Sequence, residues 1–258
     1  MALIKSEAIL LRSIRYSETS KIMTAFSREE GILKFIAKGA RSQKSRYAGM
    51  LEPLYAVELV CYKKENRELH TLSQVSIISA PKQLMKNAER MTLALVCAEI
   101  ISKVNALQQP NIPVYKLLKD TIYSFDHTAV NGRLLLLTFQ LQLLNPLGLQ
   151  PNLTICERCK TTQSQQWCFY MDDAVLVCNA CENRVTNRLL LPEITRNALT
   201  VLLRVPIQKL VEIPIPIALH VPVYAFIKQF YDFHLLETSN LQTLRVLTQM
   251  KALSRLMK

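Results

Sequence analysis

Two Cys-x-x-Cys pairs, Cys156 with Cys159 and Cys178 with Cys181, constrain this chain more than anything else in it, and eighteen residues separate them. Cysteines three apart on a tight turn can aim both sulfurs at one point. Two such turns close a tetrahedron around an ion, with Zn–S bonds of roughly 2.3 Å. The spacing is that of a structural zinc site and predicts Zn2+ held by all four cysteines. The intervening QQWCFYMDDAVLV reads as a hairpin with Asp172-Asp173 at its turn, which makes the segment a zinc ribbon. About 30 residues cannot bury enough apolar surface to fold unaided, so metal binding would supply the deficit. A redox pair would need one Cys-x-x-Cys opening a helix in a βαβ setting, and iron–sulfur spacings match poorly. A catalytic zinc would keep an open position and usually include a histidine or carboxylate. Cys61, Cys97 and Cys168 lie in apolar or strand-like runs and read as ordinary buried thiols.

The cysteine segment interrupts a chain whose character changes once before it. Residues 1–79 hold five runs rich in β-branched and aromatic residues, EAILLRSI, KIMTAFS, ILKFIAK, YAVELVCYKK and ELHTLSQVSII, parted by short polar turns. A lone five-stranded sheet would expose its edges and an apolar face, so a closed or partly closed barrel is expected. From Pro81 the apolar period becomes helical. Helices are predicted over Gln83–Ala106, Val114–Phe125 and Gly132–Leu144, then from Pro192-Glu193, over VYAFIKQFYDFHLL, and over the terminal LQTLRVLTQMKALSRLMK, with Ser239 or Asn240 as its cap. The expected class is α+β: a barrel over 1–79, a helical domain in two parts, 80–150 and 185–258, and the four-cysteine insert over 151–184.

Net charge is +12, which favours polyanionic partners, nucleic acid first among them. No apolar run reaches the roughly 18 residues of a membrane span, and the N-terminus does not read as a signal peptide. A soluble cytoplasmic, nucleoid-associated protein is expected, where thiols stay reduced. Neither a P-loop nor a Gly-x-Ser-x-Gly occurs, and His70, His127, His220 and His234 are scattered, so no catalytic residue is assigned. A metal-stabilised nucleic-acid enzyme such as a nuclease is the alternative.

Two basic stretches stand out. From Lys34 to Leu51 there are five cations, Lys34, Lys38, Arg41, Lys44 and Arg46, and no acid. Gly39 and Gly49 bracket a polar loop that carries Tyr47. Cations neutralise phosphates and an aromatic can stack on a base, so this is read as a nucleic-acid-binding loop, with a solvated basic loop as the plainer alternative. The terminal Thr238–Lys258 is also free of acids. There Arg245, Lys251 and Arg255 lie among leucines and methionines at three- and four-residue steps. They read either as cations complementing a helix C-terminus or as the rim of a partner-binding groove.

Particular motifs carry a family resemblance. They are Tyr16-Ser17-Glu18-x-Ser20, Ala37-Lys38-Gly39-Ala40-Arg41, Ser45-x-x-x-Gly49-x-Leu51-x-Pro53, and NPLGLQPNLTICERC leading into the four-cysteine site. Over essentially its whole length the chain resembles the bacterial recombination mediator family RecO. The resemblance implies an N-terminal OB-fold, a helical C-terminal domain and zinc on Cys156, Cys159, Cys178 and Cys181. It implies binding of single- and double-stranded DNA and annealing of complementary strands. It also implies partnership with RecR, and often RecF, in loading RecA onto DNA coated by single-strand binding protein (SSB), whose acidic, apolar tail the family contacts. No nucleotide hydrolysis is implied.

Overall fold

The computed structural model describes residues 2–63, 68–104, 109–183 and 188–244. These form two compact units, one running to Thr128 and rejoined by the chain from Leu241, the other Ala129–Asn240.

The first unit opens with a closed barrel of β1 (Ala2–Arg15), β2 (Lys21–Ser27), β3 (Gly31–Ala37), β4 (Ala56–Lys63) and β5 (Leu69–Ser79), in the order β1-β2-β3-β5-β4. This is an OB-fold. All neighbours are antiparallel except β3 and β5, which close the barrel in parallel through Lys34–Ile36 and Leu69–Thr71. β1 begins five residues earlier than its sequence run. Its first half, Ala2–Ile9, pairs with β4, its second half with β2, and a register shift between Leu10 and Arg12 lets one strand serve both neighbours. Alternation fills the interior with Leu10, Met23, Ala25, Leu33, Phe35, Val57, Leu59 and Cys61.

The unit also contains the helices α1 (Ala88–Lys103) and α2 (Ile112–His127). The expected start of α1 at Gln83 is too early: Asn87 accepts the Arg90 amide at 3.0 Å and begins the helix, while Leu84–Lys86 make a separate 3-10 turn. The Arg90 guanidinium reaches the carbonyls of Phe125 and Thr128 at the end of α2, at 2.8 and 3.0 Å. Lys119 on α2 pairs with Glu7 on β1 at 2.7 Å. Glu99 on α1 takes the backbone amides of Gln242 and Thr243, both at 2.8 Å. The returning chain is therefore capped by a carboxylate from far away in sequence.

In the second unit α3 (Gly132–Leu144) is buried on nearly every side, as a central helix must be when apolar residues surround it. The Gln142 side-chain amide donates to the Leu202 and Val205 carbonyls, satisfying the C-terminal end of α4 (Glu193–Arg204). α5 (His220–His234) buries Val223, Phe226, Ile227, Phe230 and Tyr231, and the Tyr231 hydroxyl donates to the Gln140 carbonyl at 2.7 Å. Pro192 precedes α4 rather than filling its first position. The cysteine segment forms β6 (Gln166–Tyr170) and β7 (Val175–Cys178), joined across Asp172-Asp173 as the hairpin reading requires. A third strand, β8 (Arg188–Pro192), pairs with the free edge of β6. The helical pattern resumes at Pro192-Glu193 as expected, and the RLLLP before it is a strand that the sequence reading did not assign. No helix among the described residues is long and apolar enough to cross a membrane.

Candidate metal centre and nucleic-acid surface

The sulfurs of Cys156, Cys159, Cys178 and Cys181 lie within 4.8 Å of one another. Among the described residues they are the one group of histidine, cysteine or acidic side chains close enough to hold an ion. A tetrahedron with 2.3 Å metal–sulfur bonds has edges of roughly 3.8 Å, and Cys159 Sγ stands 3.6 Å from Cys178 Sγ. Each pair sits on its own turn. The first closes through Lys160 N to the Cys156 carbonyl at 3.0 Å, with Lys160 in the left-handed region at φ 59°. The second is the 3-10 turn Asn179–Cys181 that ends β7. The Cys178 amide donates to Cys156 Sγ at 3.3 Å. Burial works against the Cys156 thiolate, yet the amides of Cys159, Cys178 and Arg158 bring its pKa down to about 6. Cys181, hydrogen-bonded to the Cys159 and Cys178 thiols, is pushed up to about 12. Four thiols around one point compete for protons, and an ion that takes all four as thiolates resolves the competition. The donor set, its spacing and its amide support fit a tetrahedral metal ion.

A small network fixes the ribbon to α4. Arg196 is buried; it pairs with Glu193 at 2.6 Å, donates to the Leu153 carbonyl just before the first cysteine turn at 3.2 Å, and lies over the Trp167 ring 5.0 Å from its centroid. The Trp167 indole N–H donates to Glu193. Nothing in the sequence singles out this arginine, since one Arg on an amphipathic helix gives no sign of what it will meet. Arg158 ties the two turns together by donating to the Cys181 carbonyl at 2.7 Å. Cys61, Cys97 and Cys168 are all buried, and the first two belong to the other unit.

On the barrel, Lys34, Lys38, Arg41, Lys44 and Arg46 are all exposed. They are not equivalent. Lys34 projects from β3 and pairs with Glu68 at 3.0 Å, a solvent-exposed ion pair of small worth. Lys38, Arg41, Lys44 and Arg46 stand on the loop that follows β3. Gly39 and Gly49 bracket it at φ 72° and 70°, a conformation that strains other residues. Arg41 pins the loop to the β1–β2 turn, its amide donating to the Thr19 carbonyl and its guanidinium to the Ser17 carbonyl, at 2.8 and 2.7 Å. Tyr47 overturns one expectation. It is only 4% exposed, belongs to the barrel core, and its hydroxyl donates towards the Leu72 and Ser73 carbonyls. It plugs the barrel and cannot stack on a base; Arg46 lies against its ring, 4.8 Å from the centroid. Arg245, Lys251 and Arg255, read as the rim of a partner groove, lie outside the described residues.

Comparison with known proteins agrees with this architecture. The family model "Recombination protein O N terminal" matches residues 1–81, and "Recombination protein O C terminal" matches residues 85–242. The chain is 27% identical over 233 residues to a protein of Alkaliphilus metalliredigens named DNA repair protein RecO, covering 90% of this chain and 94% of that one. A protein of the same name from Thermoanaerobacter sp. is 28% identical over 235 residues, covering 91% and 94%. Another from Chlorobium phaeobacteroides is 33% identical over 154 residues, covering 60% and 59%. With both family models matched in sequence order and a barrel followed by helices beneath them, the chain belongs to the recombination protein O family.

Proposed function

We propose that this chain is a DNA-binding recombination mediator in DNA repair. It binds single- and double-stranded DNA through the barrel of residues 1–79, anneals complementary strands and, with RecR and often RecF, helps load RecA onto SSB-coated DNA. The observation that carries the reading is the loop after β3. Four exposed cations stand on it without an acid among them, it is fixed to the β1–β2 turn by Arg41, and it lies on a closed OB-fold barrel. Phosphates are the natural counter-charge for such a loop, and the family's name and relatives point to DNA.

Zinc is the ion we assign to the four cysteines, with a structural role, since four thiolates leave no open position for a substrate. The chain catalyses no bond-breaking step in this reading. Arg245, Lys251 and Arg255 retain their proposed part in gripping the acidic SSB tail, on the strength of the basic and apolar pattern of the terminal segment.

Incubation of labelled complementary strands with the protein tests the reading. Annealing, with no cleavage when a divalent metal is added, is the expected result. Metal-dependent cleavage abolished by changing acidic residues would replace the mediator with a nuclease.

A further inference from the structure

The four sulfurs of the cysteine site do not meet solvent equally. Cys156 and Cys178 are buried, Cys181 is half-buried, and Cys159 is the one exposed thiol among the seven cysteines. Each turn therefore supplies one inner sulfur and one outer sulfur. Backbone steadies the inner pair and its surroundings. The Cys178 amide donates to Cys156 Sγ at 3.3 Å, while the Cys156 amide donates to the Thr161 carbonyl and the Glu157 amide to the Leu176 carbonyl, both at 2.8 Å. Cys159 Sγ lies 3.6 Å from Cys178 Sγ, the inner sulfur of the other turn. Strand β6 and nearly all of β7 run between these two residues, so a bond from one to the other would enclose the hairpin in a single loop. On β6, Trp167 donates to Glu193 and lies under Arg196, which ties the same hairpin to α4.

We propose that Cys159 is the residue at which a peroxide oxidises this site, and that the product is a reversible Cys159–Cys178 disulfide whose formation expels the metal. This reaction presupposes the zinc assigned above, and it gives the ligands a chemistry beyond holding an ion. Access and thiolate character together decide which sulfur a peroxide attacks. A metal-held cysteine is a thiolate already, and of the four only Cys159 is exposed. Cys61, Cys97 and Cys168 are buried and lie outside the ligand set. The Cys159 sulfur attacks the terminal oxygen of the peroxide; an S–O bond forms, the O–O bond breaks, and the leaving oxygen departs with a proton as water or an alcohol. Cys159 is then a sulfenic acid. The Cys178 thiolate attacks its sulfur; an S–S bond forms, the S–O bond breaks, and hydroxide leaves to become water. Two thiolates have lost two electrons and the peroxide has gained them. Only Cys156 and Cys181 remain as thiolates, too few for a site that closes on four. The new bond spans the two turns, so the hairpin stays tethered while the metal is gone, and reduction returns the full ligand set.

The test treats the full chain, with the zinc it carries, with hydrogen peroxide in the presence of a chromogenic zinc chelator; the chelator alone is the control. Peroxide should release the zinc, and the fluorescence of Trp167, the single tryptophan, should change at the same rate. Peptide mapping should then find Cys159 joined to Cys178, with Cys61, Cys97 and Cys168 still reduced. Dithiothreitol followed by zinc should restore the metal content and the fluorescence. Cys159→His and Cys181→His each keep a zinc-ligating side chain at an outer position. Cys159→His should lose zinc to peroxide at least about fivefold more slowly, since the accessible sulfur is gone, while Cys181→His should lose it at close to the unchanged rate. Zinc retained by the peroxide-treated protein, a disulfide confined to one turn (Cys156–Cys159 or Cys178–Cys181), or equal slowing in both variants would overturn the proposal. Should neither histidine variant take up zinc, the mapping on the unchanged protein decides alone. Protein that carries no metal before any peroxide is added would instead remove the metal reading, and this reaction with it.

Discussion

The backbone amide of Cys178 points at the sulfur of Cys156, 3.3 Å away, although the two residues belong to different cysteine pairs. An amide donor favours a thiolate over a thiol, and a thiolate is what a metal requires. The two turns are thus locked together by backbone as well as by the ion they would share.

Metal content should follow from that arrangement. The purified protein is expected to carry about one zinc per chain. Cys178→Ser should lower zinc content and the unfolding temperature together, because metal binding here is part of the folding free energy. Stoichiometric zinc retained by Cys156→Ser/Cys178→Ser in elemental analysis would remove the assignment.

Arg196 should matter to the same segment without touching a cysteine. Removing it leaves the Glu193 carboxylate half-buried beside Trp167 and leaves the Leu153 carbonyl with only the long bond from the Thr200 hydroxyl. Arg196→Met should destabilise the second unit by about 2 kcal/mol, read by denaturant unfolding followed through the single tryptophan, Trp167. The arginine acts here through its hydrogen bonds rather than its volume; a variant as stable as the parent would show that packing against Trp167 is all it provides.

Acid should loosen the terminal segment. Burial raises the Glu99 pKa, but the Thr243 hydroxyl and amide, the Lys103 ammonium and the Gln242 amide more than compensate and hold it below the ordinary carboxylate value. A lowered folded-state pKa contributes stability above the unfolded pKa of about 4.3, and that stability disappears as pH falls through the folded value. Glu99→Gln should therefore cost about 1 kcal/mol at neutral pH and flatten the decline in stability below about pH 5. Amide hydrogen exchange at Gln242 and Thr243 reports it directly; protection unchanged in the variant would mean the carboxylate does not hold that turn.

Much of this architecture is written locally in the sequence. Five β-rich runs with polar turns foretell the barrel, because each strand's alternation and each turn are encoded within a few residues. The geometry of the four-cysteine site is legible for the same reason, since a Cys-x-x-Cys turn carries its own shape. What cannot be read depends on distant partners. The parallel closure of β3 on β5 is a tertiary event. Tyr47 sits in a polar loop whose sequence looks exposed, and only the barrel's open end decides that its ring turns inward. RLLLP is too short for periodicity to tell strand from helix, and the edge of β6 decides it. Glu99 gives no sign in the sequence that it will cap Gln242 and Thr243.

The loop cations have their own quantitative signature. Arg41→Ala/Lys44→Ala/Arg46→Ala should weaken binding to all sequences about equally, since phosphates carry no sequence information. The salt slope on single strands should become shallower by up to about 0.7 for each phosphate that is no longer neutralised. Arg41 also ties the loop to Ser17, so Arg41→Lys is the control that keeps charge and gives up the fixed geometry. Unchanged affinity and slope in the triple variant would reduce the loop to a solvated face.

The most direct measurement is annealing of complementary strands already coated with SSB, with and without RecR, by the unchanged protein and by the triple loop variant. The mediator account predicts that the unchanged protein anneals coated strands, that RecR alters the rate, and that the loop variant is slower on coated and naked DNA alike. Failure of the unchanged protein to anneal coated strands, at concentrations where it binds the same strands naked, would contradict it.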